Sequence, residues 1–258
     1  MTLAFKTFAI SDLGLQREGN EDAALFSSKL VAVADGMGGH AGGEVASSIA
    51  IKALADLIPV FNDSKVDADS KEDLFLNIPF EIDSQISEKS KENPELSGMG
   101  TTLTAIYLDE NTIELLHIGD SRCYSVTNGK LQQLSYDHTV MQELLDQGRL
   151  SADEVFNHPQ RSLLTQALMG DSGIDPILLV HEVKLGDKFL LCSDGLTGYL
   201  PDLEISKLAK KYDDQELLDH LLEATKAKGA PDNVTVLLVE VVSADHSASV
   251  TLIGAANE

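Results

Sequence analysis

Short, partly β-branched apolar runs dominate the chain, and a few longer stretches of helical spacing sit between clusters of them. Leu3 to Ile10, Ala23 to Ser27 and Leu30 to Ala34 predict three strands, the last closed by Asp35-Gly36. Ser27 to Lys29 turns between the second and third. If that turn makes a hairpin, the start of one strand lies beside the end of the other, so Asp22 and Asp35 meet. Val45, Ile49, Leu54, Leu57 and Ile58 recur at helical spacing from Gly43, and Pro59 is expected to end that helix. Residues 62 to 73 read as solvated surface. Their acidic string, Asp67, Asp69 and Asp73, puts Lys71 and Glu72 where a calcium loop needs a ligand and a glycine. A second helical stretch, Leu74 to Lys91, is interrupted by Pro79.

Gly98 to Leu108, Ile113 to Ile118, Arg122 to Val126 and Leu131 to Leu134 predict a β-meander with a turn at Asn128-Gly129. From Tyr136 to Gly173 the pattern turns irregular and helical, as expected of a surface flap. Ile177 to Val183 and Lys188 to Cys192 then read as a strand pair. Helices follow at Leu203 to Tyr212 and Gln215 to Lys226, and a last strand at Val234 to Val242. About ten strands with helices grouped in separate runs predict an α+β fold, a largely antiparallel sandwich with helices outside it. No linker divides the 258 residues, so residues 1–242 are expected to form one domain with the flap at about 136–173. Residues 243–258 form a small, polar tail whose role the sequence does not disclose.

Composition narrows the function. Hydrophobic residues make up 43% and charged residues 24%, as in a globular protein. With 42 acidic against 19 basic residues, the net charge of -23 repels phosphate backbones and anionic membranes and makes divalent cations the natural counterions. We therefore expect no nucleic-acid or membrane partner. Cys123 and Cys192 form no metal-type pair and read as reduced core residues. Met1 to Gly14 lacks a signal-peptide pattern and no apolar run approaches membrane-spanning length, so a cytoplasmic protein is expected.

Three strands end on Asp and a small residue, Asp35-Gly36, Asp120-Ser121 and Asp194-Gly195, and two begin on Asp22 and Asp232. In an antiparallel sandwich all five can face one edge. Five carboxylates packed without cations would repel and desolvate one another severely. Bound metal resolves this, and oxygen-only ligands select magnesium or manganese.

These residues resemble the metal-dependent protein serine/threonine phosphatases of type 2C, in their compact bacterial form. The resemblance is carried by Arg17 to Asp22, Asp35 to Glu44, Gly98 to Thr102, Gly119 to Arg122, Ser193 to Gly195 and Asp232-Asn233. It implies a four-layer fold, an antiparallel β-sandwich flanked by helix pairs, with an inserted flap. It implies hydrolysis of phosphoserine and phosphothreonine by a water bridging two Mn2+ or Mg2+ ions. Asp35 would bridge those ions and Gly36 would offer its carbonyl, with Asp194 and Asp232 completing one sphere and Glu21 and Asp22 acting largely through water. Asp120 would share a third ion with Asp194. Arg17 would grip the phosphate with its planar donor fork. His40, in the glycine-rich turn, is a candidate general acid for the departing alkoxide. Expected partners are the phosphoprotein substrates of a serine/threonine kinase, met by a monomer.

Two rival readings compete. Gly36 to Ala41 also fits the dinucleotide fingerprint, with Asp56 at the acidic position. Against it, Asp35 would press a carboxylate on the pyrophosphate, and Asp56 lies in a helical pattern. The other is a non-catalytic protein, either a phosphoprotein-binding relative with a dead site or an acidic divalent-ion buffer, and every acid position being filled argues against a dead site.

Overall fold

The computed structural model describes residues 2–39, 41–156, 158–171, 173–244 and 249–257. Its elements are, in order, β1 (Leu3–Asp12), β2 (Asp22–Phe26), β3 (Leu30–Met37), α1 (Gly42–Asn62), α2 (Ala68–Glu92), β4 (Gly100–Thr101), β5 (Leu103–Asp109), β6 (Thr112–Ile118), β7 (Arg122–Thr127) and β8 (Lys130–Gln133). They continue with α3 (Val140–Asp146), α4 (Ala152–Phe156), β9 (Ile177–Glu182), β10 (Lys188–Cys192), α5 (Asp194–Thr197), α6 (Asp202–Ala209), α7 (Asp214–Ala227), β11 (Val234–Ser243) and β12 (Thr251–Gly254).

One sheet runs β1-β11-β10-β7-β8 and the other β12-β2-β3-β5-β6-β9, with the two-residue β4 paired to β3. Every pairing is antiparallel. Alternation along the strands divides the core into layers. Phe5, Val31, Ile106, Leu115, Leu191 and Val239 meet between the sheets. The opposite faces carry Ala32, Tyr107 and Leu116 to α1 and α2, and Leu190, Val236 and Leu238 to α6 and α7. This is the expected helix–sheet–sheet–helix sandwich.

The structure corrects three local readings. First, α1 continues through Pro59 to Asn62. A proline inside a helix costs about 3 kcal/mol, but the extra turn buries Phe61, which stacks on Tyr107 at 4.3 Å and meets the edge of Phe75. Second, α2 is unbroken at Pro79 and starts earlier than its apolar pattern, because Asp67 caps it by accepting from the Ser70 N–H. Third, β9 and β10 do not pair. β9 adds to the free edge of β6, whereas β10, buried from Phe189 to Cys192, needs a neighbour on each side and lies between β7 and β11.

The tail also finds a place. β12 pairs with β2, setting Gly254 opposite Ala23, and Ala255 and Ala256 are buried beside α1. A Cβ on Gly254, at φ +65°, would stand 2.2 Å from the Asp22 carbonyl oxygen, which makes glycine obligatory there. Both cysteines are buried and free. Among the described residues no helix is long and apolar enough to cross a membrane.

Candidate active site

The β2–β3 hairpin forms with the expected register, Asp22 opposite Asp35. β3 then runs on past Asp35 and delivers Gly36 against the first turn of α1. A Cβ at Gly36 would lie 2.1 Å from the Gly43 carbonyl, and the Gly36 N–H donates to the Glu21 carbonyl at 3.2 Å. Only paired glycines allow the helix start to approach the strand end this closely.

Around this point Arg17, Glu21, Asp35, Gly36, Asp120, Asp194 and Asp232 line one cleft, with Thr102 and the flap residues Ser162 and Leu164. The acids arrive from the β1–β2 loop, the ends of β3, β6 and β10, and the start of β11. Burial holds the Asp35 carboxyl well above the ordinary range, reinforced by Asp22, Asp194, Asp120 and Asp232. Asp120 is likewise raised well above it, by burial and then by Asp194 and Asp137, with Arg122 opposing. Asp194 is raised by burial and Asp232, while Ser162, which donates to its Oδ2 at 3.2 Å, works the other way. Glu21 is raised chiefly by burial.

Asp22 is the sequence candidate that does not line the cleft. It is buried behind Asp35, where its Oδ2 accepts from Ser193 Oγ at 2.7 Å, and Ser193 Oγ in turn accepts from the Thr235 N–H. Burial pushes the Asp22 carboxyl up to about 7, with Ser193 and Thr235 opposing and Asp194 and Asp232 adding to it. Arg17 spends its fork on acids, with Nη2 2.8 Å from Asp232 Oδ1 and Nη1 3.5 Å from Glu21 Oε2. His40 lies outside the described residues.

Three positioning groups carried no role in the sequence reading. Asn233 accepts from the Glu21 N–H at 2.8 Å and donates to the carbonyls of Leu13 and Gly19 at 3.0 Å, so it pins the loop bearing Arg17. Thr102 Oγ1 accepts from the Asp35 N–H at 3.0 Å. Arg122 grips Asp137 with Nε at 2.9–3.0 Å and Nη2 at 2.6 Å, tying the strand after Asp120 to the flap. Asn233 and Arg122 stood inside recognised motifs. Thr102 likewise closed the block Gly98 to Thr102, which named no role for it.

Whether this donor set suits a metal can be read from its chemistry. Among the described residues no three acids, histidines or cysteines are drawn together closely enough to hold an ion as they stand. The acids converge on one cleft and present only oxygen, and burial, reinforced by their mutual repulsion, raises the protonation range of Glu21, Asp35, Asp120 and Asp194. A hard divalent cation relieves that repulsion and suits those donors, so the residues fit magnesium or manganese. The dinucleotide reading fails here: β3 has antiparallel neighbours on both sides, and Asp56 sits within α1.

Comparison with known proteins agrees. The sequence model of protein phosphatase 2C matches residues 18–239. The serine/threonine protein phosphatase PstP of Mycobacterium tuberculosis is 41% identical over 249 residues, 95% of this chain, which spans only 47% of that protein's length. The serine/threonine phosphatase stp of Listeria monocytogenes is 36% identical over 236 residues, covering 89% of this chain and 93% of its own. Among solved structures, the catalytic domain of PstP in complex with two manganese ions superposes with a TM-score of 0.83 at 40% identity, covering 94% of this chain and all of that one. Fold, acid constellation and sequence thus converge, and this chain belongs to the protein phosphatase 2C family.

Proposed function

We propose that this chain is a metal-dependent phosphoprotein phosphatase acting on phosphoserine and phosphothreonine. The observation that carries the reading is the convergence of Glu21, Asp35, Asp120, Asp194 and Asp232 with Arg17 on one cleft. Asp35, the Gly36 carbonyl, Asp194 and Asp232 would hold two Mn2+ or Mg2+ ions, with Glu21 and Asp22 supporting them through water and Asp120 helping to hold a third. When bound, such ions acidify and orient a water for in-line attack and neutralise charge on the transferring phosphoryl group.

The chain's own residues supply the rest. Arg17 presents the guanidinium fork that matches two phosphate oxygens, and it reaches them by giving up its present hold on Asp232 and Glu21. Asn233 and the Gly36–Gly43 contact fix the loop and helix start between which the phosphate enters. Asp22, through Ser193, braces the strand ends carrying Asp35 and Asp194. His40 is assigned as the acid that protonates the leaving serine or threonine oxygen. The flap supplies one wall through Ser162 and Leu164 and is assigned to substrate choice. Phosphoproteins marked by a serine/threonine kinase are the expected substrates. Two free, buried cysteines support a reducing, cytoplasmic setting.

The test is phosphate release from a phosphothreonine peptide with manganese, with magnesium and in excess chelator. Release restricted to the metal-containing reactions supports the reading, and undiminished release in chelator overturns it.

A further inference from the structure

Behind the cleft runs a chain of buried polar side chains that the mechanism above leaves unused. It starts at Asp35, whose carbonyl accepts from Thr101 Oγ1 and whose N–H donates to Thr102 Oγ1, both at 3.0 Å. Thr102 Oγ1 lies 2.7 Å from the hydroxyl of Ser121, the residue after Asp120. The Ser121 carbonyl accepts from Thr104 Oγ1 at 2.7 Å, and Thr104 Oγ1 lies 2.9 Å from His117 Nδ1. His117 Nε2 completes the run, 2.9 Å from the carbonyl of Tyr136 at the base of the flap. A carbonyl only accepts, so Nε2 carries the ring proton.

A second contact runs beside the first. The His117 ring stacks on His138 at 5.2 Å between centroids. His138 Nδ1 accepts from the Gly119 N–H at 3.0 Å, and the His138 N–H returns to the Gly119 carbonyl at 2.8 Å. The residue before Asp120 is therefore held on both sides by the flap's outgoing base. The returning base is tied as well, since Leu168 and Thr101 exchange backbone hydrogen bonds at 2.9 Å and Thr101 holds the Asp35 carbonyl.

We propose that His117 is a positioning residue which, through Thr104, Ser121 and Thr102, locks the base of the flap to the strand ends carrying Asp35 and Asp120. Flap placement and the spacing of those two acids are then set together. An apolar ring of similar size would fill the same volume, but could not span from a threonine hydroxyl to a flap carbonyl. Burial keeps His117 neutral, its ordinary value pulled down to about 3, so it serves as one donor and one acceptor. Thr104 has one hydroxyl proton for two acceptors, the Ser121 carbonyl and His117 Nδ1. It therefore donates to one of them at a time.

The proposal rests on the phosphatase reading only for what the acids do. Its test is Mn2+ binding by calorimetry, with amide hydrogen exchange across residues 136–168, in full chains carrying His117→Phe, Thr104→Val or His117→Gln. Loss of a buried partner of a ligand-bearing segment typically weakens metal binding by about tenfold or more. We expect that loss in His117→Phe and Thr104→Val, together with faster exchange at the flap base even in chelator. His117→Gln, which keeps a donor for Tyr136, should restore both. A double variant combining His117→Phe with Thr104→Val should be no worse than the worse single one. Wild-type Mn2+ affinity and flap exchange in folded Thr104→Val overturn the proposal, as does faster exchange spread equally over β11, or additive losses in the double variant. If the unmodified protein releases no phosphate with Mn2+, the phosphatase reading falls, while binding and exchange still decide the linkage.

Discussion

Replacing Asp22 by Asn should stabilise the metal-free protein at alkaline pH while impairing the metal-loaded one. The Asp22 carboxyl is raised from 3.8 to about 7, chiefly by burial, so between those values the folded chain holds a proton that the unfolded chain has released. Stability from this group is fully present below pH 3.8 and is lost as pH rises through 7. At about 1.4 kcal/mol per pH unit the ceiling is about 4 kcal/mol, and sharing of protons with Asp35 and Asp194 brings the expected effect nearer 2 kcal/mol. For a chain of this length the unfolding entropy is about 0.5 kcal/mol/K, so Asp22→Asn should melt about 4 °C higher at pH 8 in chelator. An Asn oxygen still accepts from Ser193, so the packing survives. The two proteins should converge towards pH 4. Manganese at pH 8 should reverse the order, because the wild type, with its full set of acids, binds the ions more tightly and gains more stability from them. The assay is a set of thermal melts from pH 4 to 8, with and without metal. A variant less stable than wild type at pH 8 in chelator, or one with an unchanged pH slope, would refute the reasoning.

Other perturbations probe separate parts of the structure. Glu114 is buried on β6 with Oε2 unpartnered, and burial, with Glu72 and Asp109 adding to it, raises its carboxyl to about 7. Glu114→Gln should gain about 1–2 kcal/mol at pH 8 and nothing below pH 4.5, half the full linkage being lost to water and shifts of α2; urea melts at both pH values check it. Arg17→Ala should lower kcat/KM on a phosphopeptide by about 10- to 100-fold, the worth of charge-assisted hydrogen bonds to phosphate, mainly through KM. An unchanged kcat/KM would confine Arg17 to its ion pairs with Asp232 and Glu21. His40→Ala should lose about a hundredfold or more on a phosphothreonine peptide but little on nitrophenyl phosphate, whose leaving group needs no proton. Equal losses on both substrates at saturating manganese would end the general-acid assignment.

The sequence by itself determined most of the strands, the hairpin that sets Asp22 opposite Asp35, and the repeated Asp endings that gather on one cleft. These are local properties: a period-two pattern fixes which face is buried, and antiparallel pairing brings ends beside beginnings. Tertiary structure decided what depends on partners far away in sequence. Pro59 stays helical because Phe61 finds Tyr107 and Phe75, and β9 parts from β10 because each answers to a different open edge. Residues 251–254 become a strand because β2 leaves an edge for them to pair with. The division among the acids is of the same kind. Asp22 and Asp35 are opposite partners in the hairpin, yet Asp35 lines the cleft and Asp22 is buried against Ser193, because side chains facing each other across a register still meet different neighbours. The run from Asp35 to His117 and Tyr136 was invisible for the same reason. Thr104 and His117 sit at ordinary strand positions and Thr102 and Ser121 in the short connections beside them, and only the pairing of β3, β5 and β6 beneath the flap brings them within hydrogen-bond reach.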